Sequence, residues 1–139
     1  MDILTLTGHI ICHQVNCQGV MGSGLAKQIR AKYPQVYAPY RAACKAGNAL
    51  GTVLFVPVSD NNIIANIFGQ DKYGRDKRYT DYAALQTAFH RVAEVARERN
   101  LPIAIPYRIG CGLGGGDWTT VHKIIMTELD GLPVRICRL

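Results

Sequence analysis

Apolar and polar positions fall into short blocks whose period changes along the chain. Residues 2–6 predict a short strand closed by Thr7-Gly8, and residues 9–15 (HIICHQV) form a largely apolar run of strand length. After a loop at 16–23, the period lengthens. Residues 24–32 place Leu25 and Ile29 on one helical face, with Lys27, Arg30 and Lys32 elsewhere. Pro34 suits the first turn of a second helix, in which Tyr37, Tyr40, Ala43 and Cys44 recur at helical spacing until Gly47-Asn48 stops it. Residues 52–58 (TVLFVPV) and 63–68 (IIANIF) then return to strand character across a Ser-Asp-Asn-Asn turn, and Pro57 places the first of them at a sheet edge. Residues 69–79 (GQDKYGRDKRY) are polar, without period, and predict a loop. Thr80 is the expected N-cap of a long helix reaching Asn100, with Leu85, Phe89, Val92 and Ala96 as its inward stripe. A short strand at 103–107, a glycine-rich loop at 108–116, a helix capped by Asp117 and running to Leu129, and a last strand at 134–137 complete the order.

Apolar strands interleaved with amphipathic helices imply an α/β fold with helices on both faces of a sheet, and the hairpin makes that sheet mixed. With 139 residues, one domain spanning 1–139 is expected. Lys and Arg total 16 against 10 Asp and Glu, a net of +6. That balance favours anionic partners: phosphates, nucleic acid or an anionic surface. No apolar run has the length of a membrane span, and no basic-then-apolar leader opens the chain, so no membrane partner is expected. The five cysteines are scattered without a CxxC pair, which argues against a disulfide framework and a zinc knuckle. They read as reduced thiols of a cytoplasmic protein.

The informative feature is a pair of glycine clusters, each just after an apolar strand and just before a helix. In an open α/β sheet that is the crevice where ligands bind. Glycines there let backbone N–H groups converge on an anion, and the helix N-terminus behind favours negative charge. Two such loops can cradle two phosphates, or one diphosphate flanked by two sugars. GVMGSGLAK (19–27) is not a Walker A loop, since no Lys-Ser or Lys-Thr follows. GCGLGG (110–115) matches GxGxxG in letter, but one strand remains after it and no acidic residue stands about 20 positions on. The competing reading of both clusters is tight turns without a ligand.

Three segments, HQVNCQGVMGSGLAKQI (13–29), NIFGQDKYGRDKRYTDYAAL (66–85) and IPYRIGCGLGGGDW (105–118), together resemble a macrodomain. The similarity is greatest to the branch of the terminal ADP-ribose protein glycohydrolase and the antitoxins that strip ADP-ribose from DNA. The resemblance implies a three-layer α/β/α macrodomain with a central mixed sheet. It implies an ADP-ribosyl hydrolase acting on a modified protein or nucleic acid, needing no cofactor and no metal. The alternatives it carries are an ADP-ribose-1''-phosphate phosphatase and a non-catalytic ADP-ribose reader. It puts Asn16 beside the distal ribose and the scissile bond, with His13 at the mouth of the same strand. Gly22, Ser23, Gly24 and Leu25 fall on the first phosphate loop. Ile109, Gly110, Cys111, Gly112, Leu113 and Gly114 fall on the diphosphate loop. Two departures from the family pattern stand out. His9 takes the place of an aspartate that holds adenine, and Gly114 that of an aspartate in the protein glycohydrolase. Lys72 lies near that relative's catalytic lysine, with Gln70 and Asp71 aligning equally.

Hydrolysis needs a positioned water and a proton acceptor. Asp71 and Lys72, in the loop between Gly69 and Gly74, are the catalytic candidates beside Asn16; a solvated charge run is the competing reading. Asp81 and Asp117 read as helix-end carboxylates. Lys72, Arg75, Lys77 and Arg78 share the charged loop and are expected to steer a polyanion, with nucleic acid among the partners. Tyr33, Tyr37, Tyr40 and Trp118 read as core packing, not as a nucleic-acid platform, which leaves Tyr73, Tyr79 and Tyr107 to stack on adenine.

Overall fold

The computed structural model describes residues 2–138. Its strands are β1 (Ile10–Val15), β2 (Val53–Pro57), β3 (Ile63–Phe68), β4 (Ile103–Pro106) and β5 (Val134–Cys137). They form one sheet in the order β2-β3-β1-β4-β5, parallel except for the antiparallel edge strand β2. The helices are α1 (Gly24–Lys32), α2 (Tyr37–Ala46), α3 (Tyr82–Arg99) and α4 (Trp118–Glu128). A single 3-10 turn, Pro34–Val36, leads into α2 with its proline in the first turn.

Strand alternation sorts the apolar side chains into two cores. Ile10, Cys12, Ala65, Ile67, Ile103 and Ile105 pack with Leu85, Phe89 and Val92 of α3 and Val121 and Ile125 of α4. Ile11, Val15, Ile64 and Phe68 point the other way, onto Ile29 of α1, Tyr40 of α2, and Tyr33 and Val36 between those helices. The two helix pairs therefore cover opposite faces, which is the expected three-layer mixed-sheet arrangement. After β1 the chain leaves towards α1, and after the neighbouring β4 it leaves towards α4 on the other face. A crevice opens between the carboxyl ends of those two strands, as the reversal of direction requires.

Two expectations are corrected. Residues 2–6 are not a strand: Ile3–Thr5 form a 3-10 turn. The Asp2 carboxylate accepts the Leu4 N–H at 2.9 Å and the Thr5 hydroxyl donates to the Asp2 carbonyl at 2.7 Å. These local bonds outcompete a ladder, and they let the consecutive residues Ile3 and Leu4 pack into the same core, where a strand would send them to opposite faces. The cap of α3 is Asp81, accepting from Ala84 N–H at 3.0 Å, and not Thr80. Thr80 is buried and bonds across the molecule instead. Asp117 caps α4 as expected, accepting from Thr120 N–H at 3.0 Å.

Candidate functional site

A cleft of about 570 Å³ occupies the crevice. Its floor is the end of β1, residues 13–16. One wall is 22–26, from the first glycine loop into α1. The other is 106–110 and 112–114, and Gln70, Tyr73, Gly74 and Arg75 close the top. Both glycine clusters thus face one space. That placement excludes a position for His9 in the cleft. His9 precedes β1 and so sits at the amino end of that central strand, away from the cleft, its ring on the Thr7 carbonyl at 2.7 Å and its N–H on Asn62 Oδ1 at 2.9 Å. It cannot replace an adenine-binding aspartate, because the whole of β1 separates the two.

The first loop is braced by side chains. Asn16 Nδ2 donates to the Val20 carbonyl at 2.9 Å, and Asn16 Oδ1 accepts from Gln18 N–H at 2.9 Å. The buried Tyr40 hydroxyl lies 2.7 Å from the Asn16 carbonyl and 2.8 Å from its Oδ1, and Tyr37 donates to the Gly19 carbonyl at 2.9 Å. The Asn16 side chain is therefore spent on loop shape. Ser23, the N-cap of α1, makes no capping bond with its side chain. The first intrahelical amide bond is that of Lys27 to the Ser23 carbonyl, so the amides of residues 24–26, which line the cleft, have no acceptor among the described residues.

The second loop is braced by backbone and by Thr80. Ile109 and Cys111 donate their N–H groups to the carbonyls of Pro106 and Arg108, at 3.1 and 2.9 Å. Cys111 also turns its thiol inward, so it does not line the cleft. The amides of Gly110, Gly112, Leu113 and Gly114 have no acceptor among the described residues. Thr80 Oγ1 donates to the Gly110 carbonyl at 2.7 Å and accepts from Gln14 Nε2 at 2.9 Å. Tyr79 and Thr80 donate N–H bonds to the Gly114 carbonyl at 2.8 and 3.0 Å. Gln14, which lines the cleft, and Thr80, which braces its second loop, are residues of the site that the sequence reading did not assign to it; only their places at a strand end and a loop end hinted at them.

The charges are one-sided. Arg75 and Arg108 line the cleft, and no Asp or Glu does among the described residues. His13 is buried on the floor, and burial pushes its pKa down to about 4. Its tautomer follows from its neighbour. Asn66 Nδ2 donates to the Leu54 carbonyl at 2.9 Å, so Asn66 Oδ1 faces His13 and accepts its Nε2–H at 2.6 Å. The Nδ1 lone pair is left buried without a partner.

Asp71 and Lys72 lie outside the cleft lining. The Asp71 carbonyl accepts Cys17 N–H at 2.8 Å and its carboxylate accepts Gln18 Nε2 at 3.2 Å, which ties the charged loop to the first glycine loop. The Lys72 carbonyl accepts from Gln70 Nε2 at 2.8 Å. Of the other basic residues in that loop, Lys77 lies over Tyr79 and Arg78 over Tyr82, at 5.3 and 4.4 Å, leaving Arg75 as the cation at the cleft. Tyr73 and Tyr107 line the cleft; Tyr79 bonds Asp76 instead. Val20, Tyr73 and Leu113, apolar yet 40%, 56% and 52% exposed, rim it. All five cysteines are free thiols, and burial raises that of Cys17 to about 11, so it is no nucleophile at neutral pH. No cluster of three metal-ligating side chains occurs among the described residues, nor any helix long and apolar enough to cross a membrane.

Comparison with known proteins agrees with this geometry. The family model described as Macro domain matches residues 12–125. The DNA ADP-ribosyl glycohydrolase of Mycobacterium tuberculosis is 28% identical over 134 residues, covering 95% of this chain and 38% of that protein. The chain thus spans well under half the length of that relative. A yeast ADP-ribose 1''-phosphate phosphatase (Saccharomyces cerevisiae) is 27% identical over 84 residues, 55% of this chain and 48% of that one. Among solved structures, a protein of unknown function from Bacteroides thetaiotaomicron superposes with a TM-score of 0.91 at 28% identity, covering 100% of this chain and 94% of that one. The macrodomain of Mycobacterium tuberculosis DarG superposes with a TM-score of 0.81 at 28% identity, covering 98% and 92%.

Proposed function

The chain belongs to the macro domain family, and on that premise we propose that it binds ADP-ribose in the cleft and hydrolyses an ADP-ribosyl linkage on a modified macromolecule. The observation that carries the reading is the convergence of two sets of unclaimed amides, at the start of α1 and at Gly110 to Gly114, on one space that holds arginines and no carboxylate. Such a space suits a diphosphate between two sugars. The amides and Arg75 and Arg108 hold the phosphates and so fix the substrate for attack. Asn16 fixes the loop that receives the distal ribose. With Asp71 outside the lining, the attacking water passes its proton to a phosphate oxygen of the substrate as its oxygen bonds to the anomeric carbon; the bond to the macromolecule breaks, and the leaving atom takes a proton from solvent. Gly114 leaves no place for a covalent aspartate, since a Cβ there would sit 2.5 Å from Thr80 Oγ1.

The yeast relative and the arginine-rich lining favour a second reading, release of phosphate from ADP-ribose-1''-phosphate. Parallel assays separate the two: free ADP-ribose released from ADP-ribosylated single-stranded oligonucleotide and from ester-linked protein, and inorganic phosphate released from the 1''-phosphate. Release of ADP-ribose from a macromolecule is the expected result. Phosphate release alone replaces it with the phosphatase, and tight binding without either product makes the chain a reader. A cytoplasmic site of action accords with five free thiols.

A further inference from the structure

Charge is laid unevenly over the two helical layers. α1 and α2 carry five cations, Lys27, Arg30, Lys32, Arg41 and Lys45, all of them exposed, and residues 3–59 hold no Asp or Glu. α3 and α4 carry four cations against three carboxylates, and there Arg91 pairs with Glu94 and His90 with Glu128. A surface that serves solubility alone intersperses both signs, as α3 does. The α1–α2 face does not.

Contacts set three of the five cations in a row. The Arg30 guanidinium lies over the Tyr37 ring, 3.6 Å from its centroid. Tyr37, Arg41 and Lys45 follow one another at four-residue steps on α2, so they share a face at intervals of about 6 Å. The row passes the first glycine loop. Tyr37 donates to the Gly19 carbonyl at 2.9 Å, and a Cβ at Gly19 would stand 3.7 Å from Arg41 Cγ. Val20, the next residue, lines the cleft. Lys32 is drawn away from the row, to the Leu4 carbonyl. Arg41 and Lys45 have no ion-pair partner among the described residues. The carboxylates of neighbouring segments are engaged elsewhere: Asp2 accepts the Leu4 N–H and Asp71 accepts from Gln18.

We propose that this row holds the backbone of the nucleic acid that carries the ADP-ribose. The assignment rests on the ADP-ribosyl hydrolase reading and narrows its macromolecule to nucleic acid. Positive charge at regular steps suits a ligand whose negative charge is also regular, and arginine takes phosphate through two parallel bonds. One row of cations matches one strand. Among the described residues, the large apolar side chains that are exposed all lie outside α1 and α2. The face therefore has nothing to insert into a lipid surface and no anchor for the side chains of an acidic peptide. Contacts of this kind position a strand without reading its sequence.

The probe is a fluorescein-labelled single-stranded oligonucleotide of about 12 nucleotides without ADP-ribose. It is titrated with the intact protein over a salt series and followed by anisotropy. Arg41→Glu with Lys45→Glu is expected to weaken binding about tenfold or more. The same pair is expected to flatten the slope of log affinity against log salt by about 1.4, at about 0.7 for each lost contact. Arg97→Glu with Arg99→Glu changes the net charge equally at exposed positions of α3, and is expected to cost less than about threefold. Arg41→Gln with Lys45→Gln is expected to fall between the parent and the charge-reversed α2 pair. Equal losses from the two reversed pairs, or an affinity that the α2 pair leaves unchanged, overturns the assignment. So does equally tight binding of an oligo-glutamate of the same charge or of phosphatidylserine vesicles. Neither pair lines the cleft, and ADP-ribose affinity, measured separately by calorimetry, is expected to stay at the parent value. Because the probe carries no ADP-ribose, failure here leaves the reading of the cleft standing, whereas failure of the parent to bind ADP-ribose strikes that reading.

Discussion

The glycines around the cleft divide into two groups that look identical in sequence. At Gly110, Gly114 and Gly116 an added Cβ would lie 2.5–2.8 Å from Gln14 Oε1, Thr80 Oγ1 or the Gly110 carbonyl. At Gly24 and Gly112 it would meet nothing within 4 Å, and at Gly22 only Val20, at 3.7 Å. The first group is glycine because protein already fills the space. The second opens into the cleft, where the fold itself makes no demand on Gly112. One set builds the wall and the other keeps the room behind it free. A glycine motif alone cannot tell these roles apart.

The sharpest way to break that division is a pair of carboxylates two positions apart. Gly114→Asp is expected to lose more than about 3 kcal/mol of stability, because the side chain must displace Thr80 from the Gly110 carbonyl and separate Gln14 from Thr80. Gly112→Glu is expected to leave urea unfolding unchanged while ADP-ribose affinity falls about a hundredfold or more, roughly 2.7 kcal/mol, as a negative side chain enters the anion space. Calorimetry and denaturation on both variants check it. Equal stability losses would erase the distinction between wall and room.

His13 tests the same boundary from the floor. It touches the cleft, yet its hydrogen bond to Asn66 and its burial make it part of the wall. Its pKa falls from 6.5 to about 4 on folding. The unfolded chain therefore binds the extra proton first. The stability held by neutral His13 is complete above about pH 6.5 and drains as pH falls towards 4, with about 2 kcal/mol gone by pH 5. Urea unfolding of the parent and of His13→Gln at pH 7 and pH 5 isolates that share, since the variant lacks it. Matching slopes would mean that His13 takes up its proton as readily in the fold as in the unfolded chain, and so is not sealed into the wall.

Much of this was legible in the sequence. The bounds of α1, β3 and β5 follow from apolar period, and the α3–α4 core follows from the stripes Leu85–Phe89–Val92 and Val121–Ile125. Strand-end position alone put both glycine clusters at one crevice. What escaped was fixed by contacts distant in sequence. Thr80 bonds Gly110, 30 residues away, and Gln14 bonds Thr80, 66 away; neither partnership leaves a periodic trace. His9 was misplaced because a short tetrapeptide match carries no information about which end of a strand it occupies. Residues 2–6 deceived for a local reason: a short, largely apolar segment before a Thr-Gly turn reads as a strand, while Asp2 and Thr5 bond their own backbone.

The smallest expected effect concerns how wall and room are coupled. Thr80→Val keeps the volume of the side chain and deletes both of its hydrogen bonds. The cost in stability is about 1 kcal/mol, because Gly110's carbonyl keeps the Gly116 N–H at 2.8 Å and Gln14 Nε2 keeps Gln70 Oε1 at 2.7 Å. ADP-ribose affinity is nonetheless expected to fall severalfold, since the loop whose amides meet the phosphates has lost its brace and must be ordered by the ligand. Thr80→Ser restores the hydroxyl and is expected to restore the affinity. A double-mutant cycle with Gln14→Leu locates the effect: the two losses are sub-additive if both residues act through one brace on Gly110. Full additivity would show that Gln14 meets the ligand directly, which would move it from the wall into the room.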